Sequence, residues 1–165
     1  MTDATVHHTP AIGEDATSQI PALDVLRQLG YTYLSPDEAL ELRGGSTADV
    51  LLRPILRRQL DRINSIDSKT GPVPFGSDAI NHAIQRLARP DDKGLIATNE
   101  SIWDLLRLGL SQPQLVDGRR RSHPMRYIDW DNPSNNEFHV TEEFTVDRRG
   151  DGAIKNRRVD LVCFV

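Results

Sequence analysis

Asn156-Arg157-Arg158-Val159-Asp160-Leu161-Val162-Cys163-Phe164-Val165 is the stretch on which the reading of the fold turns. An arginine pair leads into one carboxylate, Asp160, and then into an unbroken apolar run rich in β-branched residues. That is the composition of a strand buried on both faces. Asp160 has two readings there: a buried carboxylate satisfied by Arg157 or Arg158, or a hard oxygen ligand held on a rigid support for a divalent cation.

Working outward, Phe138, Val140, Phe144 and Val146 alternate with His139, Thr141, Thr145 and Asp147, which predicts a strand with one buried face. Glu142 falls on the apolar side, either facing the site across the sheet or turned to solvent by a bulge at Glu142-Glu143. Between the two strands, Gly150-Asp151-Gly152 closes a hairpin. Arg148, Arg149, Lys155, Arg157 and Arg158 cluster around that hairpin, as phosphate contacts or as a solvated basic loop. Farther upstream, Leu115-Val116 and Met125 to Trp130 are expected strands around a basic turn, Arg119-Arg120-Arg121.

Before Ser111 the period is helical, so the order is helices first and strands second, as in an α+β domain with a helical N-terminal half packed on a β-sheet. Ala22, Val25, Leu26 and Leu29 form a stripe after Pro21 that Gly30 ends. Tyr31 to Leu34 reads as a short strand, and Ser35-Pro36-Asp37-Glu38 as a capping box opening a helix that stops at Gly44-Gly45. Leu56, Leu60 and Ile63 mark a third helix that starts at Pro54, because an interior proline costs about 3 kcal/mol. A fourth begins at Ser77 or Asp78 and ends before Pro90, and a fifth runs from Thr98 or Asn99 to Gly109. His82 on the fourth helix reads as solvent-facing or locally bonded, since no second ligand type is spaced beside it.

Residues 1–20 are polar, small and without period, and are expected to form a flexible arm ahead of a single domain over 21–165. His7 and His8 lie in that arm without a spaced partner ligand. Twenty basic residues against 24 acidic ones leave a net charge of -4, so DNA binding has to come from local clusters rather than a global field. One cysteine, Cys163, cannot form an internal disulfide, and no apolar run approaches the roughly 20 residues of a membrane helix. A cytoplasmic protein with no membrane partner is expected. No G-x-x-x-x-G-K-(S/T) phosphate loop occurs, so no ATP site is expected in these residues.

Several motifs in fixed order resemble the N-terminal region of the R subunit of type I restriction enzymes. They are G-Y-T-Y-L-S-P-D-E-A-L-E-L-R-G-G at 30–45, V-L-L-x-x-I-L-R-x-Q-L-x-x-I-N at 50–64, N-E-x-I-W-D-L-L at 99–106, Y-I-D-W-D-N-P-x-N-N at 127–136, F-H-V-T-E-E-F-T-V at 138–146 and R-R-V-D-L-V-C-F-V at 157–165. The resemblance implies a restriction-endonuclease-like core of the PD-(D/E)xK kind that cuts double-stranded DNA with Mg²⁺, in a subunit whose separate domains use ATP to translocate. Asp160 matches the first aspartate of the motif, with Val159 where the family usually has proline. The E-x-K half is expected on a following strand, past Val165, so the sheet is expected to be incomplete and the isolated fragment inactive. Glu100 matches a further acidic position that related nucleases carry, although a glutamate in a first helical turn is stabilised by the helix dipole without any metal. The implied partners are DNA and the modification and specificity subunits. A second reading is a non-catalytic module docking the R subunit onto those partners.

Overall fold

The computed structural model describes residues 19–91, 93–148 and 155–165. Of the expected arm, only Gln19 and Ile20 fall within it, as the start of α1 (Gln19–Gln28). The fold is α+β. Helices α2 (Pro36–Leu42), α3 (Arg53–Ile63), α4 (Ser77–Ala88) and α5 (Leu95–Leu108) precede the long strands β6 (His139–Arg148) and β7 (Lys155–Phe164). β1 (Thr32–Leu34) pairs parallel with β6, and β6 pairs antiparallel with β7, giving the order β1-β6-β7.

Local chemistry explains most of these boundaries. Ser35 accepts from the Glu38 N–H while the Glu38 carboxylate accepts from the Ser35 N–H, closing the capping box that starts α2 with Pro36 in its first turn. α3 opens with Pro54 in its first turn, where a missing N–H breaks no helical bond. α5 begins at Leu95, three or four residues before the expected start. Leu95 and Ile96 are 80% and 76% exposed, so they carry no amphipathic signal.

Two hairpins depart from the expected layout. The loop after α3 contains paired strands β2 (Ile66–Ser68) and β3 (Gly71–Val73). Downstream, β4 (Leu110–Val116) pairs with β5 (Arg119–Met125), so the arginine run lies in a strand and not in a turn. The turn is Asp117-Gly118, with φ of 51° and 73°, the pattern of a two-residue type I′ connection. The expected strand over Met125 to Trp130 is accordingly absent beyond Met125. There side chains replace the ladder: Asn64 accepts from the Arg126 N–H at 2.7 Å and donates to the Arg126 carbonyl at 2.8 Å. Buried Asn136 accepts from the Asp129 N–H and from Gln59, and donates to the Asp129 carbonyl.

The main core lies between α3, α4 and the base of the β4–β5 hairpin, around Leu60, Ile80, Ala83, Ile84, Met125 and Tyr127. The Tyr127 hydroxyl donates to the Ala83 carbonyl at 2.7 Å, and burial pushes its pKa up to about 12. Gly109, with φ 78°, ends α5 where an added Cβ would lie 2.3 Å from the Met125 carbonyl oxygen, so no other residue fits.

α2 packs on β6 through Arg43, which is 4% exposed. Its guanidinium donates to the carbonyls of Thr145, Asp49 and Ala39 at 2.9, 3.3 and 3.3 Å, and its Cζ lies 4.0 Å from the Phe144 ring centroid. Arg43→Leu is expected to destabilise the chain by about 3 kcal/mol, since three buried acceptors lose a charged donor; urea denaturation measures this. A second expectation concerns pH. His139 is buried, and burial lowers its pKa from the ordinary 6.5 against an opposing pull from Glu137. The unfolded chain therefore binds the proton more tightly, and stability falls as pH drops below 6.5. His139→Gln should flatten that slope in urea melts between pH 7.5 and 5.5.

Candidate functional site

Asp160 stands on β7, next to β6 and with no described strand on its other edge. This strand is not buried on both faces as its composition suggested. Residues 156–160 are all exposed, Val159 at 41%, and Cys163 is exposed too. The cause is coverage: among the described residues only β6 borders the strand.

The rungs of the ladder fix what faces Asp160. Glu142 pairs with Leu161 and Phe144 with Val159, so Glu143 lies opposite Asp160 in a register that continues without an inserted residue. That one rung is not hydrogen-bonded, and Glu143 has φ 55°. A left-handed residue within a strand breaks the ladder and bends it. The bend is visible in the edge-to-face contact of Phe144 and Phe164 at 5.5 Å. Phe164 pairs with His139, five rungs away, which a straight strand would place about 16 Å off.

Side chains alternate across the sheet, so Arg158 and Asp160 share the face of β7 that lies over Thr145 and Glu143. Arg158 forms an ion pair with Glu143. It is thus Glu143, and not Asp160, that an arginine of this strand satisfies. Glu142 takes neither role expected of it, being buried and accepting from the Tyr33 hydroxyl at 2.7 Å. Burial and that bond hold the Tyr33 hydroxyl well above its ordinary pKa.

The remaining candidates scatter. Glu100 is exposed in the second turn of α5, past the first-turn position that a helix dipole favours. No three His, Cys, Asp or Glu side chains come together as a metal-binding group among the described residues, so Glu100 and Asp160 do not share one. Arg157 and Arg158 are exposed, Arg148 and Lys155 oppose each other across the ladder, and Arg149 lies outside the described residues. His7 and His8 lie outside them as well. His82 bonds Gln112 through Nδ1, as a locally satisfied histidine would. No helix of the described residues is long and apolar enough to cross a membrane.

The donor set around Asp160 fits Mg²⁺ in part. That ion takes one or two carboxylates and keeps several waters, and Asp160 offers one oxygen donor, while Glu143 on the facing strand is held by Arg158. The family model described as Type I restriction enzyme R protein N terminus matches residues 12–165. The chain belongs to that family, and the α+β fold with its aspartate on the last strand is therefore the N-terminal region of a restriction R protein. No curated protein matches the chain as a relative.

The two glutamates should separate on substitution. Tyr33→Phe strands the buried Glu142 and should cost about 2 kcal/mol. Arg158→Ala breaks an exposed ion pair and should cost less than about 1 kcal/mol. Urea denaturation of both variants checks the contrast.

Proposed function

We propose that this chain is part of the DNA-cleaving centre of a type I restriction R protein, with Asp160 as its Mg²⁺ ligand. The observation that carries the reading is an exposed aspartate, its side chain without a hydrogen-bond or ion-pair partner among the described residues, on a strand of the family's N-terminal region. A buried structural carboxylate would be paired. Mg²⁺, when bound, would polarise the scissile phosphate and lower the pKa of the attacking water. The residues' own part is simpler: Asp160 contributes a fixed oxygen on a hydrogen-bonded strand, and Arg157 and Arg158 put positive charge beside it for the DNA backbone.

In this reading the whole R protein belongs to the PD-(D/E)xK nucleases, cuts double-stranded DNA in the cytoplasm and couples cutting to ATP-driven translocation by its other domains. Its partners are the modification and specificity subunits. Glu100 is the weaker of the two proposed acidic positions, because nothing in its surroundings gathers donors. A docking role for the same surface is the competing reading, favoured by the exposed edge of β7.

In the complete R subunit, assembled with its partner subunits, Asp160→Ala should lower plasmid cleavage by at least about 10³-fold while ATP hydrolysis and translocation continue. Cleavage at the wild-type rate would exclude the catalytic assignment. Loss of subunit assembly in that variant would favour docking instead.

A further inference from the structure

The β2–β3 and β4–β5 hairpins enclose a cavity of about 220 Å³ on a different part of the molecule from the β6–β7 ladder. Lys69 from the first hairpin and Arg119, Arg121 and His123 from the second line it. Arg119, Arg121 and His123 alternate along β5 and so share one face of that strand. Among the described residues none of Lys69, Arg119 and Arg121 has a carboxylate ion-pair partner.

Two carboxylates also reach the cavity. Asp117 is occupied, its Oδ2 accepting from the Lys69 N–H at 3.2 Å, which ties the two hairpins together. Asp67 and Asp117 together set two carboxylates against three cations, so the lining keeps a net positive charge. His123 Nε2 is sealed from solvent and has no hydrogen-bond partner among the described residues, so it does not reach the space a ligand would fill. A cation does not fit, as no metal-binding trio of His, Cys, Asp or Glu forms among the described residues. An oxyanion does, because two guanidiniums and an ammonium are all donors. By volume the cavity holds about seven waters at ~30 Å³ each, room for a tetrahedral phosphate and some solvent.

We propose that this cavity binds a backbone phosphate of double-stranded DNA through Lys69, Arg119 and Arg121. The source of the phosphate follows from the shape of its support. β4–β5 is a two-stranded ribbon whose Arg119, Arg120 and Arg121 are all exposed toward the tip, and a ribbon of that kind lies against a duplex, its outer arginines on neighbouring phosphates. The proposal rests on the DNA-cleaving reading and adds to it a second, positioning contact away from Asp160.

The test uses the complete R subunit with its partner subunits and measures duplex DNA binding by fluorescence anisotropy across a salt series. Arg119→Gln with Arg121→Gln should weaken binding about tenfold and reduce the slope of log K against log salt by about 1, the value for one lost phosphate contact. The cleavage reading is tested by plasmid cutting in Asp160→Ala and this contact by DNA affinity in the arginine double variant, so the two readings fail separately. Unchanged affinity and slope in the arginine double variant would overturn the proposal while leaving the nuclease reading intact. Inorganic phosphate is the second probe: binding of phosphate that the double variant loses, with DNA affinity unchanged, would assign the cavity to a free anion and overturn the DNA assignment.

Discussion

The buried guanidinium of Arg43 is the contact on which the sheet half of the molecule depends. Three parts of the chain meet at it: α2 through the Ala39 carbonyl, the following loop through Asp49, and β6 through Thr145 and the Phe144 ring. A buried cation is costly unless its donors are met. Here carbonyl oxygens and an aromatic face meet them, while the negative charge of Asp49 and Asp147 partly offsets the burial that lowers its pKa. Gly44 and Gly45, both at φ 73°, turn the chain away after the helix, and Thr47 then zips onto Asp147 through its hydroxyl and its carbonyl. The arginine thus fixes where β6 lies, and through the ladder where β7 and Asp160 lie.

What β6 delivers to that site depends on a local conflict. Its alternation puts Glu142 on the buried side, where the Tyr33 hydroxyl meets it. The next residue, Glu143, is opposite Asp160, and two carboxylates on one rung repel. The structure answers with an ion pair to Arg158, two residues along the same strand, and with a left-handed Glu143 that breaks the rung. Backbone conformations of this kind cost on the order of 1–3 kcal/mol in a non-glycine residue and persist where surrounding contacts enforce them. Two contacts enforce it: Arg43 holds Phe144 and Thr145 immediately after the bend, and Phe164 packs on the same ring.

The parts of the fold legible in the sequence were those whose signal is local. The Ser35 capping box and the proline at the head of α3 each depend on residues within a turn, and each formed where the sequence put it; β6 formed as a strand too, but His139 and Thr141 are buried along with Val140 and Glu142, so it is covered on both faces there and not on one. The departures share the opposite property. Asp117-Gly118 is a strong hairpin signal that the adjacent arginine run obscured, and the arginines are in the strand because the turn precedes them. The segment from Arg126 to Trp130 has the composition of a strand, yet Asn64 and Asn136 supply its backbone partners from a distance. Likewise β7 has the composition of a doubly covered strand, but burial is a property of neighbours and not of composition.

The same distinction separates the site residues. The motif of 127–136 is dense in aspartate and asparagine, the residue types a metal site uses, and its chemistry is spent on the backbone: the Asp129 carboxylate accepts from the Asn132 N–H and from Asn135, bonds that hold it below its ordinary pKa. Buried Glu142 is likewise committed, and so is Glu143. Asp160 is the acidic residue of the β6–β7 ladder left without a side-chain partner among the described residues. A carboxylate without a partner gains little for the fold by being there, since an exposed aspartate in a strand is disfavoured by propensity and returns no packing. Its place ahead of the apolar run Leu161 to Val165 is therefore not accounted for by packing or pairing in the fold.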